Sequence, residues 1–110
     1  MSLPRLSVEF SDASEPLRKR APSHDENGKP LSDFMMLIPG LRDQPRHIID
    51  TTLQDVHIAL THFRDAVVFA EFNIKLNLLW VSIRPIHGIR FEIASAIQQQ
   101  VPDAKLVSHI

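Results

Sequence analysis

The run Phe34-Met35-Met36-Leu37-Ile38 is uniformly apolar and is halted by Pro39-Gly40. Its length and lack of alternation predict a strand buried on both faces. Asp43 and Pro45 follow as a helix start signal, an N-cap aspartate and then proline in the first turn. From there Ile49, Leu53, Val56, Leu60 and Phe63 recur at spacings of four, three, four and three, which is one stripe of a helix. Residues 67–74 and 76–83 are rich in Val, Ile, Phe, Leu and Trp and predict a β-hairpin turning near Asn73 to Asn77. Pro85 ends the second strand. Ile89, Ile93, Ala96 and Ile97 mark a second helix that stops before Pro102, and residues 106–110 form a last strand.

The resulting order, β-α-β-β-α-β, is that of a ferredoxin-like α+β sandwich. This fold carries enzymes, chaperones and sensors alike, so it predicts a shape and no activity. Residues 33–110 are the expected domain, and residues 1–32 an N-terminal arm or extra strand with a linker. Within the arm, Leu6, Val8 and Phe10 alternate as a short strand would. Residues 11–33 hold three prolines, one glycine and the mixed charges around Arg18-Lys19-Arg20, a composition that buries little surface.

Both faces of the hairpin are apolar. Alternation puts Val68, Ala70 and Phe72 on one face of the first strand and Val67 and Phe69 on the other. In the second strand Leu79, Val81 and Ile83 oppose Leu76, Leu78 and Trp80. Two helices cover only one face of such a sheet, and an apolar patch of that size is rarely left open to water. The N-terminal strand, a second subunit or both are therefore expected to cover it. A homodimer with Phe69, Leu78 and Trp80 at its interface is the expected assembly.

Composition narrows the function classes. The chain has 110 residues, enough for one core, and a net charge of -1, which leaves no electrostatic footprint for nucleic acid or an anionic membrane. It has no cysteine, which excludes disulfides, thiolate metal sites and cysteine nucleophiles and fits a reducing, cytoplasmic setting. Charged residues and proline near the N-terminus replace the apolar core of a signal peptide. Glu71, Asn73, Lys75 and Asn77 break the longest apolar stretches, so no membrane insertion is expected. The opening Met-Ser-Leu has the look of an expression scar. No Gly-rich phosphate loop or nucleophile elbow occurs.

Two clusters carry chemistry. Asp43, His47, Asp50, Gln54 and His57 recur at helical spacing and form a polar stripe beside the apolar one. Imidazole and carboxylate together suit zinc or a similar divalent ion, with Asp43, His47, Asp50 and His57 as ligands. The same stripe also reads as a solvated helix face. At the start of the second helix, His87 precedes Gly88, with Arg84 and Arg90 nearby, a set that reads as an anion site or as a simple cap. Trp80 fits a pocket lining or interface packing, and Met35 and Met36 read as core.

Residues 36–107 resemble the heavy-metal-associated domains of small copper chaperones. The likeness lies in the strand 36–38, Gly40-Leu41 where that family has Gly-Met, the helix, the hairpin, and Ile93-Ala94-Ser95-Ala96-Ile97 before the last strand. That family binds metal through Cys-x-x-Cys just after the glycine. Asp43 and Arg46 stand at those positions here, so a thiolate copper site is excluded and the family's function does not carry over. The ending Pro102-Asp103-Ala104-Lys105-Leu106-Val107-Ser108-His109 also looks like the cytosolic domains of cation-diffusion transporters, which dimerise and bind divalent ions. The reading is a non-catalytic binding or regulatory domain. One alternative is a cofactor-independent oxygenase with Asn77, Trp80 and His87 in a cavity between sheet and helices. The other is a structural protein-interaction domain.

Overall fold

A computed structural model describes residues 5–9 and 24–107. The chain is α+β, running β1 (Arg5–Glu9), β2 (Ser32–Leu37), α1 (Arg46–Thr61), β3 (Val67–Asn73), β4 (Leu78–Ile83), α2 (Ile89–Gln100) and β5 (Lys105–Val107). The strands form one sheet in the order β1-β3-β4-β2-β5. β4 lies between β2 and β3, and β2 lies between β4 and β5, all pairs antiparallel. Each helix therefore crosses over an inserted strand. β1 adds a parallel strand beside β3, with Arg5 opposite Phe69 and Glu9 opposite Asn73.

The apolar stripe of α1 holds: Ile49, Leu53, Val56 and Leu60 are buried, and Phe63 packs against the same core just past the helix end. From α2, Ile89, Ile93, Ala94 and Ile97 are buried. They meet Phe34 and Met36 of β2, Ala70 and Phe72 of β3, and Leu79 and Val81 of β4, which share one sheet face by register. The space between sheet and helices is filled by side chains, with Phe34, Phe72, Met36, Leu60 and Leu79 among the largest that are fully enclosed.

The start of α1 differs from expectation. Asp43 lies in a short 3₁₀ turn, Leu41–Asp43, and the helix begins only after Pro45, with no side-chain cap bond. The cause is the proline. The residue before it, Gln44, is extended (φ -83°, ψ 158°), as the proline ring requires. That separates Asp43 from the helical N–H groups a cap would need. Pro45 O then accepts from the N–H groups of Ile48 and Ile49, at 2.9 and 3.1 Å.

The hairpin turns where expected, but its strands differ in two places. A β-bulge between Val67 and Phe69 leaves Val68 as the extra residue. Val67 thus pairs with Ile83 and joins the core, whereas strict alternation puts it beside Phe69 on the opposite face. Leu76 lies in the turn, outside β4, and is exposed. Asn77 takes φ 54°, a left-handed conformation that asparagine tolerates better than most residues. Its Oδ1 accepts from the N–H of Arg42 at 2.8 Å, and its carbonyl from the N–H of Ile38 at 2.8 Å. These bonds tie the hairpin tip to the β2–α1 loop.

Candidate functional site

The polar stripe of α1 is presented to solvent one group at a time. Asp43, His47 and Asp50 are exposed and His57 is half-buried. Asp50 accepts from Arg46 Nε at 3.1 Å, an i,i+4 pair, and Asp43 lies 3.8 Å from Arg42 Nε. Among the described residues no three His, Asp or Glu side chains come together as a group that could hold a metal ion. The zinc expectation thus finds no ligand cluster within the described chain.

On the sheet face turned away from the helices, register places Phe69, Glu71 and Asn73 of β3 beside Ser82, Trp80 and Leu78 of β4, followed by Asp33, Met35 and Leu37 of β2. Phe69, Leu78, Trp80, Met35 and Leu37 are all half-buried. Polar side chains sit among them. Glu71 is only 4% exposed, and Ser82 and Asn73 are also buried. Trp80 Nε1 is screened from solvent and has no acceptor. The N-terminal strand does not lie over this face. β1 extends the sheet along its edge instead, because its backbone pairs with β3. Residues 10–23, which include Phe10 and the Arg18-Lys19-Arg20 run, lie outside the described residues, as does His109.

The three residues expected at the start of α2 divide into two fates. Arg84 is fully engaged. Its Nη1 meets Asp25 Oδ2 at 3.1 Å, its Nη2 meets Glu26 Oε1 at 3.2 Å, and its Nε donates to the Asp65 carbonyl at 3.1 Å. It is a structural clasp, and its charge is already matched. Sequence reading missed this partner because 58 or 59 residues separate the groups. The signal for the turn itself was present in Asp25-Glu26-Asn27-Gly28-Lys29. Asp25 Oδ1 accepts from the N–H groups of Asn27 and Lys29, at 2.8 and 2.9 Å, and Gly28 at φ 77° closes the turn.

The Lys29 N–H is the strongest influence on Asp25 and lowers its carboxyl below the ordinary value of 3.8. Burial opposes the shift, and the Asn27 N–H and the Arg84 charge reinforce it. Because the folded value lies below the unfolded one, the stabilisation is complete above pH 3.8 and is lost as pH falls through the lower folded value. Asp25→Asn is therefore expected to be less stable than wild type at neutral pH. The gap between their urea midpoints should close as acid is added below that value. A gap constant with pH would show that the Asp25 charge contributes nothing.

His87 and Arg90 line a cleft of about 430 Å³ at the junction of β4, α2 and the start of β2, together with Ser32, Ile83 and the rest of residues 85–91. Gly88, at φ 75°, turns the chain into α2. Arg90 is half-buried, its Nη2 donating to Ser32 Oγ at 3.2 Å, and its Nε has no acceptor. His62 lies apart, lining a second open cleft with Ile58, Thr61, Arg64 and Asp65. The oxygenase candidates are not brought together. Asn77 is at the hairpin tip, Trp80 on the far sheet face and His87 in the β4–α2 loop. No helix among the described residues is long and apolar enough to cross a membrane. No protein-family model, curated protein or solved structure matches this chain.

Proposed function

We propose that this chain is a non-catalytic binding module of the ferredoxin-like fold that pairs with a second copy of itself through the sheet face turned away from the helices. The observation that carries the pairing is the row of half-buried apolar side chains on that face, Met35, Leu37, Phe69, Leu78 and Trp80. Fully burying a large apolar side chain is worth roughly 1.5–3 kcal/mol, and because these five are already half-buried, pairing adds a part of that from each. The order β3-β4-β2-β5, with one strand inserted in each β-α-β unit, supports the fold name. The filled core favours binding at a surface over catalysis in an enclosed cavity. A reducing, cytoplasmic setting belongs to the proposal and is supported by the absence of cysteine.

Light scattering after gel filtration tests it. The wild-type chain is expected at twice its 12.5 kDa mass. Phe69→Asp and Leu78→Asp each put a carboxylate into the interface and are expected to return the single-chain mass with the helical circular dichroism retained. A wild-type chain that runs at the single-chain mass overturns the pairing.

A further inference from the structure

We propose that the cleft at the start of α2 binds a small organic carboxylate, with its charged group on Arg90 and its apolar body on Ile86 and Phe91. This names a ligand class for the binding module proposed above and rests on that reading. The argument begins with a contrast between two arginines six positions apart. Half-buried guanidinium groups are ordinarily matched by carboxylates. Arg84 follows the rule, with Asp25 and Glu26 at 3.1 and 3.2 Å. Arg90 does not. Among the described residues its one hydrogen-bond partner is a neutral hydroxyl, Ser32 Oγ, and its Nε is screened from solvent and finds no acceptor there. An unmatched buried donor is costly and rare, so it calls for an explanation.

The surroundings say which explanation fits. Among the described residues that line the cleft none is acidic, so none of them supplies Arg90 a counter-charge there. Most of the wall is apolar, and two of its members are unusually open for their type: Ile86 is 51% exposed and Phe91 66%. The volume of about 430 Å³ lies in the range of small-molecule sites. A planar guanidinium accepts a carboxylate in two parallel hydrogen bonds, which a point charge does not reproduce. One flat anion joined to an apolar group brings the counter-charge that Arg90 lacks and covers Ile86 and Phe91 in a single event. Inorganic phosphate would satisfy only the first.

The test uses the whole chain and 3-phenylpropanoate as the probe, followed by two-dimensional ¹⁵N–¹H NMR. Saturable shifts are expected at the amides of residues 85–91 and at the Arg90 Nε–H, with a dissociation constant in the millimolar range or tighter. The neutral 3-phenylpropanamide and inorganic phosphate are each expected to bind about tenfold more weakly, or not at all. Arg90→Gln is expected to lose about tenfold. Ile86→Ser lies outside the core and keeps the test decisive if Arg90→Gln fails to fold. It is expected to weaken the probe and leave the shifts caused by phosphate unchanged. Absence of saturable shifts at these residues overturns the proposal, as does equal binding of the amide or of phosphate. The solution mass of the same samples separates the two readings. A dimer that ignores the carboxylate overturns the ligand class alone, and a monomer that binds it at Arg90 overturns the pairing alone.

Discussion

Leu60→Ala is expected to lower the free energy of unfolding by about 2–5 kcal/mol. Leu60 is fully buried on the α1 stripe, in a core that includes Phe34, Phe72 and Ile93. Packed interiors relax only partly around a lost side chain, so a cavity adds its cost to the lost burial. The measurement is the urea midpoint at unchanged slope. Gln54→Ala, on the exposed face of the same helix, is expected to stay within about 0.5 kcal/mol of wild type. Equal losses from the two changes would mean that α1 turns a different face to the sheet.

Val81→Pro is expected to prevent folding. β4 is bonded on both sides, and Val81 stands between Ala70 of β3 and Phe34 of β2. Proline removes a ladder N–H and strands its buried acceptor, about 1–3 kcal/mol, and takes the valine side chain out of the core, roughly another 1.5–3 kcal/mol, before the cost of its fixed φ. That is a large share of the roughly 5–15 kcal/mol that holds a domain together. Lys105→Pro, at the first residue of edge strand β5, is expected to leave a dispersed NMR spectrum. A dispersed spectrum from Val81→Pro would show that β4 is not an inner strand.

The elements of the core were legible because each carries its own period. The α1 stripe from Ile49 to Leu60 and the buried set Ile89, Ile93 and Ile97 follow the helical repeat, and the hairpin tip falls at Asn77 as composition suggests. What escaped reading depends on one residue or on distance. The bulge at Val68 shifts Val67 to the core with no compositional mark. Pro45, read as a helix residue, instead moved the helix start past Asp43. The pairing of Arg84 with Asp25 is a tertiary event between segments that look unrelated along the chain. The same holds for the candidate site. His87 and Arg90 were suggested by their place at a helix start. Whether each charge is matched or stranded depends on partners that only the fold brings near.

The parallel pairing of β1 with β3 also bears on how the sheet avoids adding further strands at its edge. A sheet edge is a row of unpaired backbone groups that templates the addition of other strands. One edge of this sheet ends in β5, which spans three described residues and opens with Lys105, a charge that blunts the edge as a template. The other would be β3, seven residues reading Val-Val-Phe-Ala-Glu-Phe-Asn, a segment with high strand propensity and little charge. β1 occupies that edge from Phe69 to Asn73. A chain cut back to residue 24 would therefore lose more than one strand's stability. It would uncover a long, nearly uncharged strand edge, and fibre formation, more than unfolding, would be its characteristic failure.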